Sequence, residues 1–159
     1  MMKKIFIAMF AVAALCACSS GGMKKGIEYR GLSMKMPFSA FCDSLTARGF
    51  SIDSAKTDSD FHMVVMAHPA ERFRLMLAQE NDVLVALQEN YLLTTNDSTR
   101  KMWQQIRDGL EKDLGTWPNM PIHGQDHKVA KFESEGGFIT VTLKNTYKPT
   151  LEVLYQVKK

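Results

Sequence analysis

The sequence predicts an α+β fold, a meandering antiparallel sheet with two helices packed on one face. Three observations lead there. Two windows, one following Pro37 and one following Asn96, space their apolar residues at three and four, the period of a helix with one buried stripe. The stretches after each window alternate apolar and polar residues at a period of two, as half-buried strands do. The resulting order is strand, helix, three or more strands, helix, three strands.

Glu28-Tyr29-Arg30-Gly31-Leu32 reads as a short first strand. Pro37 suits the first turn of a helix, where its missing amide hydrogen has no partner to lose. Phe38, Phe41 and Leu45 give that helix its apolar stripe, and Gly49 can take the left-handed conformation that ends it. Strands are then expected at 61–67, 72–79 and 83–92, divided by turn signals such as Thr57-Asp58-Ser59-Asp60 and Glu80-Asn81-Asp82. In the second of these, Phe73, Leu75 and Leu77 share a face while Arg72 and Arg74 lie on the other. One buried and one wet face is what an antiparallel sheet allows.

Asn96-Asp97-Ser98 offers N-cap residues for a second helix carrying Trp103, Ile106, Leu110 and Leu114, stopped by Gly115 and Pro118. Gly109 inside it costs about 1 kcal/mol relative to Ala, so the helix depends on packing its apolar stripe against the sheet. A Pro and Gly loop from Trp117 to Gly124 follows. Strands over Val129 to Ser134, Phe138 to Lys144 and Leu151 to Val157 close the chain. The helix ends Leu45 to Phe50 and Leu110 to Gly115 echo one another, but too poorly to define a repeat.

The N-terminus has the three parts of a secretory signal: Lys3 and Lys4, an apolar core from Ile5 to Leu15, and small residues before a cut. Its apolar run is too short to span a bilayer, which takes about 20 residues. Leu15-Cys16-Ala17-Cys18 resembles a lipobox, with Leu15 three places before Cys18 and Ala17 immediately before it. That resemblance implies a signal peptide at 1–17, lipidation of Cys18 and attachment to a membrane through acyl chains, each buried methylene adding about 0.8 kcal/mol. Residues 18–26, small, polar and glycine-rich, read as a flexible tether, and 27–159 as a single domain. Ser19, in place of an Asp after the lipidated Cys, implies outer-membrane sorting by the rule of enteric lipoproteins. A tether without an acidic run implies the periplasmic leaflet.

Processing at Cys18 leaves 142 of the 159 residues, with 18 basic against 17 acidic residues and a formal net charge of +1. A chain of this size buries roughly two-thirds of its unfolded surface and needs no metal or disulfide to hold a core. No basic tract of the kind that follows nucleic-acid phosphates remains. Of the three cysteines, Cys16 leaves with the signal and Cys18 carries lipid, so Cys42 is alone and no intramolecular disulfide can form. Cys42 sits four residues after Phe38 and three before Leu45, the position of a buried small hydrophobe and not of a nucleophile.

Tyr29-Arg30-Gly31-Leu32-Ser33-Met34, followed by Phe41, Leu45 and Arg48-Gly49-Phe50, resembles the opening of small exported lipoproteins of unassigned function from Gram-negative gut bacteria. Met102-Trp103 to Leu114-Gly115 and Pro118 resemble their second helix, and Phe138-Ile139-Thr140-Val141 with Leu151 to Tyr155 their closing hairpin. Ser33 stands where those proteins have Pro. The likeness covers most of the mature chain and implies a fold, with no catalytic residue attached. A looser architectural likeness reaches outer-membrane assembly lipoproteins and a β-lactamase inhibitor fold.

Few residues carry chemistry. His123 and His127 have ligand chemistry at a spacing of four, which on a helix would let them share a metal, but Pro121 and Gly124 argue against a helix there. His62 and His68, read on one strand, would stand roughly 20 Å apart. Glu133 and Glu135 alternate as a solvated strand end would. There is no nucleophile elbow, phosphate-binding glycine loop or His-Glu-x-x-His. Trp117, in a Pro and Gly loop, reads first as a hydrophobic closure packed back on the helix end and second as the candidate for partner contact; Trp103, on the helix stripe, is expected in the core. Met34, Met36, Met63, Met66 and Met76 read as core filler.

The expectation is a lipid-anchored envelope module that binds a partner protein or an envelope polymer, with no cofactor and no nucleic acid. The alternatives are a metal-dependent enzyme built on a histidine cluster and an inhibitor of a hydrolase.

Overall fold

The computed structural model describes residues 26–158 apart from Ser59 and Phe61. The expected signal peptide over 1–17, the expected lipidation at Cys18 and the expected tether up to Lys25 lie outside the described residues. No described helix is long and apolar enough to cross a membrane.

The fold is α+β and mostly antiparallel sheet. A two-stranded ribbon, β1 (Glu28–Tyr29) and β2 (Leu32–Ser33), precedes α1 (Phe38–Ala47). Then come β3 (Ser51–Ile52), β4 (Met63–Ala67), β5 (Phe73–Glu80) and β6 (Val83–Tyr91). The second half runs α2 (Asn96–Leu114), β7 (Asn119–His123), β8 (His127–Ser134), β9 (Gly137–Lys144) and β10 (Thr150–Val157). Strands β3 to β10 form one eight-stranded sheet in the order β3-β4-β5-β6-β10-β9-β8-β7. Each half is thus a helix followed by four antiparallel strands, and the last strands of the halves pair in the middle, Glu89 opposite Val153. The halves repeat in topology although their sequences do not.

Four expectations change. The first strand is folded back on itself, because Arg30 and Gly31 both take positive φ, 51° and 77°, the geometry of a tight hairpin turn. Pro37 precedes α1 as its cap and does not enter its first turn. The cap of α2 is Thr95, whose side chain accepts from the Ser98 amide at 3.2 Å, one residue before the expected group. The loop at Trp117 to Gly124 is largely the strand β7. Pro121 is tolerated there because β7 is the sheet edge, and the register slips between Asn119 and Ile122.

Both helix stops are as the glycines predict. Gly49, at φ 91°, donates to Thr46 while the Phe50 amide donates to Leu45, closing a Schellman turn. Gly115, at φ 63°, donates to Glu111. The amides at the start of α1 are satisfied from the β5–β6 turn: Phe38 donates to the Asp82 carbonyl at 2.9 Å and Ser39 to its carboxylate at 3.2 Å.

Register sorts the strand residues into two sets. Phe73, Leu75 and Leu77 on β5, Leu87 and Glu89 on β6, Val153 and Tyr155 on β10, and Ile139, Val141 and Leu143 on β9 share one face. Their apolar members join Phe38, Phe41 and Leu45 of α1 and Trp103 of α2 in one hydrophobic cluster. Trp103 is buried, and its indole N–H donates to the Val141 carbonyl at 3.2 Å. Of the methionines, Met34 and Met66 are core, Met36 packs against it, and Met63 and Met76 fall in the opposite set.

Candidate functional site

Two features of the sheet stand out, one buried in its centre and one on its other face. The buried feature is Glu89, 5% exposed on the middle strand β6. Tyr29 Oη donates to its Oε1 at 2.8 Å and Tyr91 Oη to its Oε2 at 3.0 Å. Tyr155 stands edge-on to Tyr29 with ring centroids 5.3 Å apart. Burial raises the Glu89 carboxyl above the ordinary range, against the two phenol hydrogen bonds that favour its charged form. Burial and the Glu89 charge push the Tyr29 and Tyr91 phenols far up, so they stay hydroxyl donors.

Arg30 closes the edge of this cluster. Its guanidinium pairs with Glu71 at 2.7 Å and lies over the rings of Tyr29, Phe50 and Phe73. Its carbonyl accepts from the Arg48 guanidinium at 2.6 Å. A non-glycine residue at positive φ carries strain, and these contacts hold Arg30 there. Chemically, the cluster fastens the β1–β2 ribbon to the sheet.

The second feature is the sheet face opposite the core. By register it carries Met63, Met76 and Ala78, then Ala86 and Gln88, Leu154, Thr140 and Phe138. Met76, Leu154 and Phe138 are half-buried. Val65, of the same set, is buried beside the β3–β4 connection, where its amide donates to Thr57. Lys131 stands 4.0 Å from the centroid of the Phe138 ring and Lys158 5.0 Å from it. The face is mixed: Arg74, Asn90, Glu152 and Gln156 belong to the same set, and Met76, Leu154 and Phe138 are its large apolar members.

The histidines do not gather. His123 pairs with Lys128 and His127 with Lys144 in adjacent positions of the β7–β8 hairpin, so the strand alternation sends the two side chains to opposite faces. His62 lies in the turn before β4 at φ 51°, and His68 follows β4, its ring tilted 58° against Phe50 with centroids 5.1 Å apart. They are not strand-face residues. Among the described residues, no group of three or more His, Cys, Asp or Glu is placed to hold a metal.

Trp117 is 78% exposed after α2 and does not fold back on the helix end. Beside it a shallow cleft of about 500 Å3 is lined by Leu114, Gly115, Thr116, Glu133, Glu135 and Lys158. Lys158 pairs with Glu133 at 2.9 Å and holds that carboxyl below its ordinary value. Cys42 is half-buried against the core, and burial pushes its thiol up to about 11, away from reactivity.

Sequence reasoning missed Glu89. It alternates correctly with Leu87 and Tyr91, but a carboxylate in that set reads as an interruption until Tyr29, sixty positions away, is placed above it. Comparison with known proteins adds no relative: no family model matches, and no curated protein or solved structure is significantly similar.

Proposed function

We propose that the chain is a lipid-anchored module of the cell envelope, held to the outer membrane through Cys18 and facing the periplasm, which binds a partner protein or an envelope polymer. The lipobox-like Leu15 to Cys18 segment and the tether behind it support the anchor. In this reading both helices pack on one face of the sheet. The support is that Phe41, Leu45 and Trp103 share one cluster with a single set of strand residues, and that the halves repeat about the central β6–β10 pair. The opposite face is then left as the binding surface.

The observation that carries the reading is the set Met63, Met76, Leu154 and Phe138 on that face, apolar side chains that a solvated sheet face does not need. A photo-crosslinking residue in place of Met76 or Leu154, in cells, is expected to capture a discrete partner identified by mass spectrometry. The same residue at Lys101, on α2, is expected to capture none. Equal capture at both positions would sink the reading. Labelling of Cys18 with a palmitate analogue, lost in C18A, tests the anchor separately.

A further inference from the structure

The described chain begins at Gly26, and its position is fixed. A Cβ on Gly136, in the β8–β9 turn, would come within 2.7 Å of the Gly26 Cα and 2.9 Å of the Ile27 amide nitrogen. One on Gly137 would meet the Ile27 side chain at 2.6 Å. The chain therefore enters the domain directly on the β8–β9 turn, at the end of the sheet where α2 also finishes. Glu135 of that turn and Thr116 of the α2–β7 connection line the same cleft, and Trp117 is the next residue after Thr116. Entry point and exposed tryptophan thus share one end of the molecule.

Seven residues, Ser19 to Lys25, and so eight chain steps, separate a lipidated Cys18 from Gly26. Fully extended, they reach at most roughly 28 Å. The end of the domain bearing Trp117 is consequently the end nearest the lipid. We propose that this end is a membrane-docking face, in which Trp117 inserts at the headgroup level of the bilayer that carries the acyl chains. The inference rests on the lipid-anchor reading above and deepens it.

Three properties fit the lipid surface as occupant. Trp117 is 78% exposed, a cost with no return inside the domain, and an indole with an apolar body and one polar N–H suits the interface between headgroups and acyl chains. Cations lie at the same end of the domain: Lys35 lies against Gly26, close enough that a Cβ there would sit 3.2 Å from its Cε, and Lys158 lines the cleft. Lys158 also offsets Glu133 at 2.9 Å, leaving Glu135 as the remaining carboxylate lining the cleft. Attachment by acyl chains makes insertion intramolecular, so a single aromatic suffices where it would not from solution.

The test uses the full mature chain, purified from membranes and reconstituted in vesicles of phosphatidylethanolamine and phosphatidylglycerol. Lipids brominated near the top of the acyl chain are expected to quench Trp117 emission by half or more. Trp103, 1% exposed, is the internal control and stays unquenched. W117F is expected to abolish the quenching while leaving the thermal transition unchanged. Intact mass reads the acylation of Cys18 independently. An acylated chain with unquenched Trp117 overturns the docking face and leaves the anchor standing. A chain without acyl groups overturns the anchor reading, and quenching on adding that chain to the same vesicles then decides the docking face alone. An emission shift with soluble peptidoglycan fragments, and none with lipid, also overturns it.

Discussion

The Tyr29 hydroxyl donates to Glu89 Oε1 at 2.8 Å, tying the ribbon that opens the domain to the strand at its centre. The carboxyl is buried and its pKa is raised, so the native state holds the proton more tightly than the unfolded chain. The stability this gives is complete below the ordinary value of 4.5 and is lost as pH rises through the higher native value. E89Q keeps the shape and removes the charge. It is expected to raise stability at pH 7 and to flatten the fall of stability above pH 4.5, measured by urea unfolding across pH. A steeper fall in E89Q than in the parent would contradict the account.

Glycine positions separate strain from space. At Gly109, inside α2, a Cβ meets nothing within 4 Å, and G109A is expected to stabilise by about 1 kcal/mol. At Gly49, φ is 91° and a Cβ would lie 2.7 Å from His68 Nε2. G49A is expected to destabilise by about 2 kcal/mol. In a double-mutant cycle with H68A the steric part is relieved, so the two changes couple with a sign that favours the double variant.

Asp82 caps a helix that supplies no cap of its own. Its backbone sits at φ 58° and its carboxylate accepts from the Ser39 amide at 3.2 Å. D82A is expected to cost about 1 to 2 kcal/mol, through loss of the acceptor and through strain at positive φ. D82N keeps both the acceptor and the tolerance for that conformation and is expected to cost a few tenths of that. Comparing thermal transitions of the two variants checks the assignment.

His123 and His127 point to opposite faces of one hairpin. Zinc is therefore expected to leave the thermal transition of the protein unchanged, and H123A and H127A to be equivalent to the parent in its presence. Zinc-dependent stabilisation lost in either variant would show that the pair shares a metal.

Much of the fold was legible in spacing. The stripes Phe38, Phe41, Leu45 and Trp103, Ile106, Leu110 mark α1 and α2, and Gly49 and Gly115 end them as expected. Strands β5, β6, β9 and β10 fall within two residues of their expected bounds, because alternation against a buried face is a local signal. The edge was harder. Pro121 reads as a loop residue, and only the unpaired side of β7 makes it acceptable in a strand. The bend at Arg30 was illegible for a different reason: arginine does not favour positive φ, and the contacts that hold it come from Glu71, Phe50 and Phe73.

The sequence alone determined the α+β class and the two helices with their stops, because these follow from period and glycine placement along the chain. Only the tertiary structure decided that Trp117 faces outward, that His123 and His127 part company, and that Glu89 is enclosed by tyrosines. Each depends on which strands become neighbours. A chain's local pattern fixes which face a residue takes on its own strand, but not what stands across from it.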